Sequence, residues 1–201
     1  LSNLGVVYTN QGKLELALEH FQAALVLSQQ MGDPFAENTI LNNIALVYSS
    51  QEKGEQALEY YQRSLVISRK IGDRAGIGTT LNNLGLLYGE NGDYDTALEY
   101  LQQAFELMEQ MGDRLNMGTT LGNLGQVYAA MNQFPRAEAK FRESVAVLEA
   151  VERDLPEADQ SRIAFFETQA HIYSFLQGTL LAQGKAGGAL EVADRSRARS
   201  L

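Results

Sequence analysis

The sequence predicts an all-α solenoid, and the main reason is an internal repeat with a period of 40 residues. Four related segments follow one another at that spacing, at residues 1–8, 39–48, 79–88 and 119–128. Within each segment the apolar residues recur three and four positions apart, which is typical of an amphipathic helix. Units of this kind pack on their neighbours, so we expect stability to accumulate from one unit to the next.

The third repeat shows why each unit predicts two helices. Gly72 is typical of a residue that ends a helix, and Asp73 is a favoured N-cap for the helix that follows. The apolar spacing predicts this first helix over about residues 74–90. Gly92 then marks a turn, and Asp93 caps the second helix of the pair.

Small and large residues alternate between the two helices of each repeat. One position of the first helix contains only glycine or alanine, and one position of the second helix contains a large residue. The small position holds Gly5, Ala45, Gly85 and Gly125, and the large position holds Phe21, Tyr61, Leu101 and Phe141. A glycine inside a helix costs about 1 kcal/mol relative to alanine, so we expect a packing reason for it.

The apolar order of the third repeat resembles the signature of tetratricopeptide repeat (TPR) proteins. That order is formed by Leu81, Leu84, Gly85, Tyr88, Ala97, Leu101 and Ala104. The period of 40 is longer than the usual period of about 34, and this longer form is similar to the repeats of kinesin light chain and of related bacterial proteins. The resemblance implies a right-handed superhelical solenoid of antiparallel helix pairs.

The repeats divide the chain into five consecutive units of one solenoid. A partial first repeat covers residues 1–32, and complete repeats are expected over 33–72, 73–112 and 113–151. Residues 152–201 are expected to form a divergent fifth repeat with an extended first helix. Because the chain begins inside a repeat rather than at a methionine, we expect it to be part of a longer protein.

The register of the repeat changes after Val151. Residues 152–159 contain Pro156 and predict a longer loop, and a long helix is expected over about residues 157–183. The end of the chain, residues 184–201, resembles the last repeat ahead of a CHAT domain, a caspase-like module that follows TPR arrays in bacterial proteins. The alternative is a terminal cap that shields the end of the solenoid.

Composition argues against an enzyme and against a nucleic-acid-binding protein. The chain has no cysteine, and His20 and His171 lie in different repeats without metal-ligand spacing, so we expect no catalytic residue, metal or cofactor. A net charge of −9 disfavours nucleic acid, which needs a basic surface. No apolar run reaches the roughly 20 residues of a membrane helix, and the lack of cysteine fits a reducing compartment. A cytoplasmic protein without a membrane partner is therefore expected.

The resemblance to TPR proteins implies that the first helices line a concave groove. Residues 38–51, 75–89 and 115–133 contain no charged side chain, so this groove should be uncharged. Its expected contact residues are Asn42, Leu46, Ser49, Asn82, Leu86 and Gln126. A carboxamide donates and accepts hydrogen bonds, so asparagine can pair with the backbone of an extended peptide. A second set, Asn3, Asn43, Asn83 and Asn123, is expected to brace neighbouring helices, with ligand contact as the alternative.

The sequence therefore predicts a protein-interaction scaffold that binds a peptide or a partner segment. TPR domains that hold acidic peptide C-termini use lysine and arginine in this groove, and this chain has neither there, which argues against that ligand. Two other functions stay open. One is a regulatory arm of a CHAT protease, and the other is a self-association module that uses the groove or an exposed end of the solenoid.

Overall fold

The computed structural model describes residues 1–154 and 161–197, and this part of the chain is all-α, without a strand. Its helices are α1 (Ser2–Asn10), α2 (Leu14–Met31), α3 (Pro34–Ser50), α4 (Gly54–Ile71), α5 (Arg74–Glu90), α6 (Tyr94–Met111), α7 (Arg114–Ala130), α8 (Phe134–Asp154), α9 (Ser161–Ala182) and α10 (Ala186–Arg197). The all-α fold class predicted from the repeat period is confirmed.

Glycine and aspartate fix where the helices end and begin. Gly72 ends α4 with a φ angle of 71°, a left-handed conformation that glycine adopts without steric cost. Asp73 then caps α5 by accepting a hydrogen bond from the backbone N–H of Gly76 at 2.9 Å. Aspartates cap α3 and α7 in the same way. These caps set the register of the repeat, and α5 occupies the residues that the sequence predicted for it.

The helices form two compact units. The first unit comprises Leu1–Ala104, and the second begins at Phe105, so the boundary falls within α6. In the first unit, each helix from α1 to α4 packs on the next one along the chain. In the second unit, α7 packs on α8, α8 on α9 and α9 on α10. Within each unit the packing is therefore between near neighbours in sequence, as expected for helical repeats.

The two helices of a repeat approach each other closely at the small position. A Cβ atom built on Gly85 would lie 2.5 Å from Leu101 Cγ and 3.1 Å from the carbonyl oxygen of Ala97. A Cβ atom built on Gly5 would likewise lie 2.6 Å from the ring of Phe21. Such distances leave no room for a methyl group in a close-packed interior. The packing reason expected for these glycines is therefore present.

Apolar clusters fill the space between the helices of the first unit. One cluster joins α2 and α3 and includes Phe21, Leu41 and Ile44. Another joins α4 and α5 and includes Tyr61 and Leu84. Burial, together with the charge of a nearby glutamate, raises the pKa of Tyr61 far above its usual range, so its hydroxyl stays neutral in the folded protein.

A third cluster joins α8, α9 and α10 in the second unit. It includes Phe141 and Leu148 from α8, together with Ile172 and Leu180 from α9. Each of these side chains is at most 4% exposed. The described part of the predicted fifth repeat therefore has a core in common with the fourth.

Glu138 holds the edge of this third cluster together. Its carboxylate accepts hydrogen bonds from Lys185 Nζ at 2.6 Å, Arg142 Nε at 2.9 Å and Gln183 Nε2 at 3.0 Å. Burial alone would raise the pKa of Glu138, but these hydrogen bonds outweigh burial and hold that pKa at about 2. Folding thus lowers the pKa, so Glu138 stabilises the fold above its unfolded pKa of about 4.3. It loses that contribution as the pH falls towards 2.

The segment after Val151 differs in part from the expectation. α8 continues to Asp154, so residues 152–154 are helical where the sequence predicted a loop. An ion pair between Arg114 and Asp154, with 2.5 Å between nitrogen and oxygen, ties this extra turn to α7. α9 has 22 residues, compared with 17 in α3, α5 and α7. The rest of the predicted loop, the predicted start of the long helix at residue 157, and residues 198–201 lie outside the described residues.

Replacing Gly85 with alanine should destabilise the protein, although alanine favours the helix. The gain in helix propensity is about 1 kcal/mol, whereas overpacking against Leu101 and Ala97 costs about 1–3 kcal/mol. We therefore expect the free energy of unfolding, measured by urea denaturation, to fall by about 1 kcal/mol. Gly178→Ala on α9 is the control, because no described atom outside the local backbone lies within 4 Å of a Cβ built there. It should stabilise the protein, and an equal gain in both variants would contradict the close approach at Gly85.

Candidate functional site

The first helices of successive repeats lie next to one another in the first unit and share an uncharged face. α3 contacts both α1 and α5. The only charged residue of α3 is Glu37, and its carboxylate accepts a hydrogen bond from Gln29 of α2 at 2.9 Å. The charged residues of α5, Arg74 and Glu90, stand at its two ends. The middle of this face is therefore built from uncharged side chains.

α3 carries exposed apolar side chains on this face. Phe35, Thr39, Leu46 and Ser50 are exposed, and their spacing places them on one side of the helix. Phe35 is 58% exposed and Leu46 is 46% exposed. Leu46 is one of the expected contact residues. Phe35 is not, although its position one turn before Thr39 is a signal that could have identified it.

Asn42 belongs to a buried hydrogen-bond network between α3, α4 and α5. Its Nδ2 atom donates to Thr80 Oγ1 on α5 at 2.9 Å and to the hydroxyl of Ser64 on α4. Ser64 donates to Asn38 Oδ1, and the amide nitrogen of Asn38 donates to Asp73 Oδ2 at 3.1 Å. Ser64 and Thr80 are fully buried, and buried polar groups are stable only with partners. We call this network the Asn42 seam.

The seam favours a different role for Asn42 from the groove contact that the sequence predicted. The expected contact was with a peptide in the groove, whereas the structure directs the carboxamide into contacts between helices. The physical reason is that the Asn42 amide donates to the buried hydroxyl oxygens of Ser64 and Thr80, and polar groups taken out of water need such partners. Asn42 therefore holds two repeats together, which is the bracing role that the sequence assigned to the adjacent Asn43.

The asparagines next to the seam position have different surroundings. Asn43 and Asn83 are half-buried, and neither makes a side-chain hydrogen bond within the described part of the chain. Asn3 is exposed, while Asn123 is buried and accepts a hydrogen bond from Gln126 Nε2 at 3.4 Å. Among the described residues, Asn43 and Asn83 thus have no bracing hydrogen bond, which makes their carboxamides candidate ligand contacts.

The other expected contact residues lie in both units. Ser49 is half-buried and donates a hydrogen bond to Glu90 Oε2 at 3.2 Å. Asn82 and Leu86 are half-buried on α5. Gln126 is half-buried on α7, in the second unit. Helices α3 and α5 of the first unit therefore carry every expected contact residue except Gln126.

The fourth repeat has Gly122 in place of the seam asparagine, and the structure shows why. A Cβ atom built on Gly122 would overlap Cδ1 of Ile172 and would lie 3.6 Å from Ser144 Oγ. Ile172 belongs to α9 and is 4% exposed. The extended helix α9 therefore packs by apolar contact at the place where Asn42 makes hydrogen bonds in the second repeat.

The histidines and acidic side chains form no metal site in the part of the chain that the structure describes. His20 stacks on Tyr8 with 5.1 Å between the ring centroids, and His171 is exposed on α9. Among the described helices, none combines the length and the apolar character that crossing a membrane requires.

Family models match most of the repeated region. A model described as tetratricopeptide repeat matches residues 36–110 and, overlapping them, residues 77–150. A second model with the same description matches residues 1–31. The chain belongs to the tetratricopeptide repeat family. No curated protein matches this TPR chain.

Solved structures show the same fold at low sequence identity. A putative kinesin light chain from Podosopora anserina with nearly identical TPR-like repeats has a TM-score of 0.69 at 17% identity, covering 98% of this chain and 92% of its own. A Rap protein complexed with Competence and Sporulation Factor has a TM-score of 0.82 at 18% identity. The match covers 97% of this chain and 51% of the Rap protein. NprR in complex with its cognate peptide NprX has a TM-score of 0.73 at 16% identity. The match covers 97% of this chain and 53% of NprR. The TPR chain thus spans about half the length of the Rap protein and of NprR.

Asn42→Ala should destabilise the protein, because Ser64 and Thr80 would lose a buried hydrogen-bond partner. We expect the free energy of unfolding to fall by about 1–2 kcal/mol in urea denaturation. Asn43→Ala is the matched control on the same helix and should change stability by less than about 0.5 kcal/mol. A loss at Asn43 as large as the loss at Asn42 would show that the two roles are assigned the wrong way round.

Proposed function

We propose that this TPR chain binds an extended peptide segment of a partner protein, uncharged at its centre, on the face formed by α3 and α5. The observation that carries the proposal is the exposure of Phe35 and Leu46 on a helix whose only charged side chain is engaged by α2. Large exposed apolar side chains with polar groups beside them are typical of interaction sites. The absence of charge along the middle of α3 and α5 favours a ligand without charge at its centre.

The polar groups of the face suit a peptide backbone. Asn43 lies four residues after Thr39 and three before Leu46, so its carboxamide stands on the exposed side of α3 between them. A carboxamide can donate to a peptide carbonyl and accept from a peptide N–H at the same time. Hydrogen bonds from Asn43, and from its equivalent Asn83 on α5, would hold the backbone, while Phe35 and Leu46 contact apolar side chains of the ligand.

The structural comparisons support a peptide as the class of ligand. NprR, which has the same fold over 97% of this chain, was solved in complex with its cognate peptide. The Rap protein was solved in complex with Competence and Sporulation Factor. The shared fold favours a binding surface on the helical repeats of this chain as well.

Leu46→Ala should weaken peptide binding without loss of fold. The probe is a set of decapeptides selected on the wild-type protein from a random display library, with affinity measured by isothermal titration calorimetry. Removing a contacting leucine side chain should cost about 1–2 kcal/mol, or about fivefold to thirtyfold in Kd.

Val66→Ala is the matched control, because Val66 is 66% exposed on α4, outside the proposed face. It should leave the affinity unchanged. Selected peptides that carry charge at their centres, or an equal loss at Val66, would contradict the proposal.

A further inference from the structure

A cleft of about 510 Å³ opens in the first unit beside the uncharged face. It lies where α3 ends, α4 begins and α5 ends. Its lining consists of Ser49, Ser50, Glu52, Gly54, Leu87, Glu90 and Asn91. Ser49 is also one of the contact residues that the sequence predicted, so the cleft adjoins the face on which we propose a peptide.

Gly54 is the reason that the cleft is open. It is the first residue of α4, and the first residues of α2, α6 and α8 are Leu14, Tyr94 and Phe134, all half-buried. A Cβ atom built on Gly54 would lie 3.5 Å from Asn91 Nδ2 and 3.9 Å from Leu87 Cδ1, and both distances are ordinary van der Waals contacts. A methyl group would therefore fit at this position. The second repeat thus lacks the large side chain that the other three have at the equivalent position.

The lining of the cleft favours a positively charged ligand with an apolar stem. Glu52 and Glu90 contribute two carboxylates, and among the described residues no lysine or arginine lines the cleft. Lys53, the next residue along the chain, is engaged elsewhere: its Nζ donates to Gln51 Oε1 at 2.9 Å and lies 5.9 Å from the centre of the Tyr48 ring. The charge of the carboxylates is therefore not neutralised within the cleft.

Oxygen acceptors surround an apolar floor. Ser49 and Ser50 contribute hydroxyls, and Ser49 donates to Glu90 Oε2 at 3.2 Å, which orients that carboxylate. Leu87, which is 4% exposed, provides the apolar floor. Arginine matches this arrangement because it combines an alkyl stem with five N–H donors on a planar cation and has no acceptor. Two carboxylates can accept from such a group in a forked geometry.

We infer that this cleft receives an arginine side chain of the bound partner. The inference rests on the proposed function, because it names one side chain of the segment that contacts α3 and α5. The arginine stem lies beside Gly54, at the position where the other repeats have Leu14, Tyr94 or Phe134, and its guanidinium pairs with Glu52 and Glu90. The ligand is thus a segment with an uncharged centre and an arginine at the position that reaches the ends of α3 and α5.

An NMR titration with N-acetyl-arginine amide tests the cleft directly. N-acetyl-citrulline amide is the matched probe, because it has the same shape without the charge. Arginine amide should cause saturable shifts of the backbone amides of Ser50, Gly54 and Asn91, and citrulline amide should bind about fivefold more weakly. Absence of these shifts in the wild-type protein, or equal binding of the two probes, would overturn the inference.

Two variants and a control distinguish the contribution of the cleft's shape to arginine binding from the contribution of its charge. Gly54→Leu copies the first repeat and fills the cleft, so it should abolish the shifts caused by arginine amide. Glu52→Gln should weaken binding about threefold. Glu59→Gln, on α4 outside the cleft, should leave it unchanged. Shifts that persist in Gly54→Leu would show that arginine binds elsewhere and would overturn the inference.

Failure of arginine binding in the cleft can be distinguished from failure of peptide binding on the face of α3 and α5. Library peptides that contain no arginine should bind Gly54→Leu as tightly as they bind the wild-type protein. Their affinity reports on Leu46 and the face of α3, whereas the small probes report only on the cleft.

Discussion

The close approach of two helices at a glycine or alanine is the constraint on which the rest of this TPR structure depends. Because Gly85 leaves no space between α5 and Leu101, the distance between the two helices of the repeat and their relative register are fixed. That register decides which residues of the first helix are buried and which are exposed. On α3 it buries Ile44, directs Asn42 towards the next repeat and leaves Leu46 exposed.

Departures from the repeat are the places where the copies acquire different properties. Gly122 replaces the seam asparagine, and Ile172 of the extended helix α9 occupies the vacated space. Gly54 replaces a large residue, and in the described structure no side chain takes its place, so a cleft remains beside the uncharged face. The same type of substitution thus extends the apolar core in one repeat and creates a candidate ligand pocket in another.

Much of the fold, but only part of the site, could be predicted from the sequence. Local sequence signals were sufficient to predict the cap at Asp73, the bounds of α5 and the small position at Gly85. Each of these features depends on residues that lie close together in the sequence. The different hydrogen-bond surroundings of Asn42 and its neighbour Asn43 could not be predicted in this way, since both residues lie within one turn of Leu46. Their difference arises from Ser64 and Thr80, whose hydroxyls come from other helices. The helical turn at residues 152–154 likewise depends on a pairing with α7.

The location of a bound peptide on the protein is the most direct test of the central claim that the uncharged face binds a partner segment. The measurement is an NMR titration of the labelled protein with a library-selected decapeptide that contains no arginine. We expect the largest shifts on α3 and α5, at Phe35, Asn43, Leu46 and Asn83. Shifts centred instead on α2 and α4, around the exposed Val26 and Val66, would contradict it.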